Sequence, residues 1–469
     1  MLGIHRLTSA RADYYLADLA QELPLPRRWD DGPAHWVGHA AAGLGLEGPP
    51  DPGALRAVLD GRQPTSGHRL RSDRATVCGF DLTFSAPKSV SVVFALGGED
   101  VARQVVVAHR ESVRGALTYL ETHGLSAQRG SGEERHVVPT TGLVAASFTH
   151  GVNRNLDPHL HTHVVMANMV HGADSRWSAC DHRGLSAHRA ATSAIYEAHL
   201  RGELTTRLGV SWVEAPRLGA EVAGVSPLAH GEFSSRSADI RRHMSEWGSH
   251  SARSAQIAWA VTRPEKQAGI AFAELSAQWE RRARFVGTEP GELRALLGRY
   301  DRGVPILDEH RFGATLSLTP DGAARRRDVA AAFGAAALAG ASAQSVETLT
   351  DLWTPKHGER AQVGVAEDVH TLRSVVPGGH LLTALGPRPV HPTDHAVWRN
   401  AAKAIDDYRA RWGVPRGSDA LGTDGRASGI SSLPVPRLID HLETTRHIEV
   451  ARQRLGWRAP LQHEMERGR

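Results

Sequence analysis

Cysteine is almost missing from this 469-residue chain, with only Cys78 and Cys180. Two thiols cannot build a disulfide framework or a four-thiolate zinc site. Such usage fits a reducing compartment, and the cytoplasm is the expected location. Lysine is scarce too. It occurs only at Lys88, Lys266, Lys356 and Lys403, so 51 of the 55 basic residues are arginine. None of the four follows a glycine; the preceding residues are Pro87, Glu265, Pro355 and Ala402. A phosphate-cradling P-loop needs Gly-Lys-Ser or Gly-Lys-Thr, so the sequence gives no basis for an ATP-driven motor. No stretch approaches the ~18 apolar residues of a membrane span. The start has no apolar run behind a basic segment, so neither membrane insertion nor export is expected.

What is present points in fewer directions. The formal net charge of +4 is a weak lean towards polyanions. Arginine suits contacts to phosphates and base edges, but an arginine-rich chain that is also rich in Ala and Gly equally reflects base composition. The length implies roughly two to four domains and leaves ample chain for a hydrophobic core.

The patterning is mixed. Leu2 and Ile4 open a short strand, and Ala10 to Ala20 reads as a helix carrying Tyr14 and Tyr15. Phe80, Leu82 and Phe84 alternate with Asp81 and Thr83, as in a strand with two unlike faces. Ser85 then reads as an N-cap with Pro87 in the first helical turn. Val106, Val113, Leu117 and Leu120 recur at helical spacing, and Ala191 to Gly209 reads as a helix stopped by a C′ glycine. Gln267 to Phe285 is another helix. Val329 to Ala343 is a plausible soluble helix, and Asp394 to Trp412 looks like an isolated one. Pro377 to Gly379 and Gly422 to Ser432 read as linkers.

Leu143 to His150 and His159 to Asn168 read as two strands joined by a polar turn, Asn153 to Pro158. His159, His161 and His163 share one face of the second strand, and the hairpin brings His150 towards His161 and His163. Three neutral imidazoles make a divalent site with positions left for a substrate oxygen, suited to Lewis-acid work on a phosphoryl or carbonyl group. A polar sheet face carrying unliganded histidines gives the same spacing. Tyr14 and Tyr15 are either packing aromatics or candidate nucleophiles, the latter only where something eases ionisation of a phenol. Asp81 is either an exposed strand carboxylate or a group that orients a ligand or takes a proton.

Together these segments resemble the relaxase domain of the MobF-class conjugative relaxases, the TrwC/TraI-like family of the HUH endonucleases. Gly67-His68-Arg69-Leu70-Arg71-Ser72 is similar to the family's Gly-His-Arg segment. Asp81-Leu82-Thr83-Phe84-Ser85-Ala86-Pro87-Lys88-Ser89-Val90-Ser91 resembles its most recognisable stretch. Phe148-Thr149-His150 and Asp157-Pro158-His159-Leu160-His161-Thr162-His163 resemble its metal motif. Trp36-Val37-Gly38, Leu44-Gly45-Leu46, Tyr196 to Val210, Phe233-Ser234-Ser235-Arg236 and Thr262-Arg263 continue the likeness, which covers roughly residues 1 to 290.

The resemblance implies an α+β fold: a central, mostly antiparallel sheet with flanking helices in a relaxase domain at 1–295. A largely helical extension with Pro/Gly linkers follows at 296–469. It implies that His150, His161 and His163 hold a divalent ion, Mg²⁺ or Mn²⁺ with Zn²⁺ as an alternative. Tyr14, or else Tyr15, attacks a DNA phosphate to give a 5′-phosphotyrosyl protein. Asp81 orients a metal histidine or takes the tyrosine proton. The implied partner is single-stranded DNA at an origin of transfer with an adjacent hairpin. Arg69, Arg71, Lys88, Arg154, Arg236 and Arg263 are the candidate contacts. A coupling protein or secretion machinery is a further implied partner. Two departures stand out: many members carry two separated tyrosine pairs and this chain has one, and the helicase of larger relatives needs the P-loop missing here, so either a separate helicase is expected or the chain is a shortened derivative. His159 is either a supplementary ligand or a neighbour. Competing readings are an HUH nuclease of rolling-circle replication or transposition, a small-molecule metal hydrolase, and a non-catalytic origin-binding protein.

Overall fold

A computed structural model describes residues 1–9, 34–72, 76–216, 219–248, 270–298, 307–317, 323–354, 361–362, 392–414 and 434–455, with a few isolated positions between them. The chain separates into two compact units, Met1–Gly303 and Val304–Arg469.

The first unit is built on one antiparallel sheet. Its strands are β1 (Leu2–Thr8), β2 (Ala34–Val37), β3 (Val77–Ser85), β4 (Thr140–Val152) and β5 (Pro158–Gly172). They lie in the order β1-β3-β5-β4-β2, and a two-residue strand, Trp177–Ser178, pairs with the far end of β5. Strand β5 is therefore central, laddered to β3 on one side and β4 on the other. Its buried run of Val, Met and Ala residues suits a strand covered on both faces.

Helix α1 (Pro52–Leu59) starts on an Asp51 N-cap whose side chain accepts from the Ala54 N–H, with proline at the first turn. Its Leu55, Val58 and Leu59 pack into the core formed on one sheet face by Val144, Ala146, Val165, Ala167 and Met169. Helix α2 (Lys88–Leu96) leads into α3 (Glu99–His123). Helix α4 (His182–Leu208) packs against α3, and Phe84 of β3 meets Tyr196 of α4 with ring centroids 5.3 Å apart. Gly209 stops α4 in the left-handed region at φ 58°, as its C′ position requires.

Several boundaries differ from the sequence reading, among them the helix read at Val329 to Ala343, which runs Arg326–Ala336 instead. Helix α2 begins at Lys88 with Pro87 as its N-cap, so Ser85 closes β3 and caps nothing. The free N–H of Ser89 is capped instead by Glu221, at 2.9 Å from the strand Gly219–Val222, a long-range partner that no local motif announces. Helix α4 starts nine residues before Ala191, on an Asp181 N-cap. After α5 (Pro227–Glu232) and α6 (Ser235–Glu246), helix α7 runs Phe272–Phe285; the expected start at Gln267 lies outside the described residues.

The second unit contains α8 (Arg326–Ala336), α9 (Ala343–Trp353), α10 (Pro392–Trp412) and α11 (Val435–Leu455). The helix expected to stand alone at Asp394–Trp412 is paired: α10 packs against α11 around Ile405, Tyr408, Ile448 and Ala451. Both expected linkers lie outside the described residues. Among the described residues no helix is long and apolar enough to cross a membrane.

Candidate metal centre

Period-two alternation on β5 turns His161 and His163 to the same face as Val165, Ala167 and Met169. The β4–β5 ladder sets His150 directly opposite His161. The three rings close into a cluster, with centroids 5.3 Å apart for His150–His161, 5.7 Å for His150–His163 and 5.1 Å for His161–His163. One nitrogen from each lies within 4.8 Å of the others. Small side-chain rotations bring such atoms to the separation of about 3–3.5 Å that bonds of about 2.1 Å to one ion demand.

The second nitrogens of His161 and His163 are already engaged. The His163 Nδ1–H donates to Asp81, both of whose oxygens lie at 3.0 Å, and the Thr83 hydroxyl donates to the same carboxylate at 3.0 Å. His161 Nδ1 lies 2.8 Å from the carbonyl oxygen of His159 and donates to it. Both rings thus present Nε2 to the cluster, the tautomer a ligand needs. Burial, with His159, His163 and His150 close by, holds the His161 imidazole well below its ordinary value. A neutral donor set on a buried face fits a divalent ion with open coordination positions.

His159 does not join the three-nitrogen cluster. Its ring stacks on His161 at 4.7 Å and 28°, and burial followed by the Lys88 charge pushes it down to about 3. Asp81 is buried and turned to the same face as the histidines, diagonal to His163 across the β3–β5 ladder.

The turn before His161 is fastened by residues to which the sequence reading gave no role. Asp157, fully buried, accepts from Arg282 Nη2 at 2.9 Å, from the Ser235 N–H at 3.0 Å and from the Ser235 hydroxyl at 2.6 Å. The Trp279 indole N–H donates to the Leu156 carbonyl at 2.8 Å, where Leu156 takes φ 59°. Helices α6 and α7 are thereby tied to the hairpin that carries the ligands. Arg282 and Trp279 had no local signal, because their partners lie more than 120 positions away.

The candidate DNA contacts divide. Arg71 is buried and donates to the carbonyls of Leu59 at 3.1 Å and Ser72 at 3.3 Å. The Lys88 ammonium donates to the Pro158 carbonyl at 2.9 Å, and burial lowers its pKa. Both side chains thus donate to backbone carbonyls inside the fold. Arg69 is exposed; Arg154, in the hairpin turn, and Arg236, in the first turn of α6, are half-buried. Tyr14, Tyr15 and Arg263 lie outside the described residues.

The family model of the TrwC relaxase matches residues 5–286. Two curated relatives are the multifunctional conjugation proteins TraI of Escherichia coli. One is 34% identical over 49% of this chain; the other, from strain K12, is 30% identical over 71% of it. The chain spans 13% and 19% of the length of these two proteins. Among solved structures, the copper-bound conjugative relaxase TrwC in complex with oriT DNA is similar, with 27% identity and a TM-score of 0.56. It covers 62% of this chain and all of its own. TrwC complexed with a 27-mer DNA comprising the recognition hairpin and the cleavage site gives 26% identity, a TM-score of 0.54 and the same coverage. With more than half of its length matched by the family model, the chain belongs to the TrwC relaxase family.

Proposed function

We propose that this chain is a conjugative relaxase that cuts and rejoins one DNA strand at an origin of transfer. The observation that carries the reading is the convergence of His150, His161 and His163 on one sheet face, with Asp81 holding His163. His150, His161 and His163 would hold a divalent ion, Mg²⁺ or Mn²⁺ with Zn²⁺ as an alternative, which would supply Lewis-acid polarisation of the scissile phosphate. The Tyr14 hydroxyl attacks the phosphorus. A tyrosine O–P bond forms, the P–O3′ bond breaks, and the 3′ oxygen leaves as a hydroxyl. One phosphodiester replaces another, so the reverse attack by the 3′-hydroxyl rejoins the strand without ATP. Asp81 already accepts from His163 and Thr83, which favours its orienting role over that of a proton acceptor. Tyr15 is the alternative nucleophile.

The substrate is single-stranded DNA beside a hairpin, contacted through Arg69, Arg154, Arg236 and Arg263. A coupling protein or secretion machinery receives the product, and the reaction takes place in the cytoplasm. The residues from 296 onward form an extension to the relaxase part.

The test incubates the protein with supercoiled DNA from its own genetic neighbourhood and Mg²⁺ or Mn²⁺. Nicked circles that stay protein-linked after detergent, with a blocked 5′ end and a free 3′ end, and that vanish with chelator, support the reading. His161→Ala removes metal binding and cutting together. Tyr14→Phe abolishes the adduct and leaves DNA binding near wild type; an adduct retained by that variant moves the assignment to Tyr15. Tight DNA binding without a nick on any neighbouring DNA favours an origin-binding protein. Neither nick nor DNA binding favours a small-molecule metal hydrolase.

A further inference from the structure

The face of β4 and β5 opposite the histidines carries a second polar assembly. Tyr196 of α4 lies with its hydroxyl 2.9 Å from His109 Nδ1 of α3. His109 Nε2 lies 2.8 Å from the Thr162 hydroxyl of β5, and that hydroxyl lies 3.0 Å from the Thr149 hydroxyl of β4. All four residues are at most 2% exposed. A buried polar group left without a partner is costly, so a core position takes such residues only where the whole chain is satisfied.

The placement of this chain is specific. Thr162 sits between the two ligands His161 and His163, and Thr149 immediately precedes the third, His150. Thr149 faces Thr162 across the ladder just as His150 faces His161. The backbone ladder is irregular directly after His150, where the register shifts before Val152. The regular ladder is thus interrupted on one side of this residue before it resumes at Val152 and Pro158, and the hydroxyl pair supplies a tie at the residue before it. A neutral imidazole has one donor and one acceptor. The protons accordingly run in one sense along the chain, either from Tyr196 through His109 and Thr162 to Thr149 or the reverse.

We propose that His109 and Tyr196 are positioning residues for the metal centre, acting through Thr162 and Thr149 to set the twist of β4 and β5 at which the three histidines converge. The inference rests on the reading of His150, His161 and His163 as metal ligands. Because alternate residues of a strand share one backbone, holding the Thr162 side chain fixes the directions of its neighbours 161 and 163 on the other face. The helix layer is in this way part of the metal site, although His109 and Tyr196 are not among the three clustered histidines.

The experiment titrates Co²⁺ into the full chain and follows its visible d–d absorption. Thr162→Val keeps shape and removes the hydroxyl that joins His109 to Thr149. Affinity is expected to fall about tenfold, the low end for partners that orient ligands, with a changed d–d spectrum. Thr162→Ser keeps the hydroxyl and is expected to restore both. Tyr196→Phe removes one atom at the end of the chain and leaves the ring against Phe84; it is expected to change the spectrum in the same direction, more weakly. Circular dichroism checks that each variant is folded. A folded Thr162→Val protein with wild-type affinity and spectrum overturns the inference while the metal site stands. If the wild type binds no Co²⁺, or binds it equally well as His161→Ala, the metal reading fails and takes the inference with it. Should Thr162→Val not fold, Tyr196→Phe decides, and an unchanged spectrum there overturns the proposal.

Discussion

Removing the Asp81 carboxylate is the perturbation that bears most directly on the metal centre. Asp81 is 3% exposed, and both oxygens stand 3.0 Å from the His163 Nδ1 atom. In Asp81→Ala that N–H loses its shortest contacts and keeps the Thr83 hydroxyl at 3.3 Å, so Nε2 is held less firmly towards His150 and His161. The Thr83 hydroxyl loses its acceptor as well. Partners of this kind are worth about 10–100-fold in metal affinity, or about 1.4–2.7 kcal/mol. Asp81→Asn keeps one acceptor oxygen but not the charge, and belongs near the lower figure. The assay is calorimetric titration of Mn²⁺ and of Zn²⁺ into wild type and both variants at neutral pH, with circular dichroism as the fold control. The expected order of affinity is wild type, Asn, Ala. A folded Asp81→Ala protein that binds both ions within about twofold of wild type refutes the orienting role. Asp81 would then be left as a proton acceptor for the tyrosine, which the rate of adduct formation would report.

Arg282→Met leaves the Asp157 carboxylate buried without its ion-pair partner. Arg282 is itself about a quarter exposed, and Asp157 keeps the two Ser235 donors. The loss therefore belongs at the lower end for broken buried pairs, about 3 kcal/mol in urea unfolding, and wild-type stability would refute the anchoring role given to the pair. His109 gives a pH prediction. Burial holds it down to about 3 in the folded protein against an ordinary 6.5. The unfolded chain therefore binds the extra proton first, and stability falls as pH drops from about 6.5 towards about 3. One such group removes about 2 kcal/mol by about pH 5. In His109→Gln that share of the acid sensitivity is absent, so wild type and variant must lose unequal stability between about pH 7 and about pH 5; equal losses would refute the burial argument.

How much of this was legible in the sequence depended on distance along the chain. The hairpin and its histidines were readable because alternation is local: His161 and His163 differ by two residues, and only a short turn separates them from His150. The same local rule put Asp81 and Thr83 opposite Phe80, Leu82 and Phe84. Helices α3 and α4 were readable at their cores but not at every end. The start of α4 at His182 rests on an Asp181 cap amid polar residues, and α2 takes its cap from Glu221, 132 positions away. Helix α11 escaped notice because polar residues interrupt its buried side, with His441, Thr444 and Thr445 all buried among apolar neighbours. Charge was the least legible property. Arg71 and Lys88 read as cations by type, but residue type does not show that the last atoms of both reach backbone carbonyls inside the fold.

The order of strands explains why the ligands fall where they do. A site that takes one group from each of two different neighbours can be assembled only around a strand paired on both edges, and β5 is laddered to β3 and β4. His150 comes from one side and Asp81 from the other, so the residues they serve, His161 and His163, belong on the strand between. A slip of one residue in either ladder would turn His150 or Asp81 to the opposite face and dismantle the centre. Period two then makes the reverse face available at no further length of chain: the threonine needed to separate two ligands on one face is itself a polar residue on the other. In this chain that residue, Thr162, meets a histidine rather than the leucine or valine of an ordinary core. The sequence His-Thr-His is accordingly two constraints written in three residues, one towards the ion and one towards the helices.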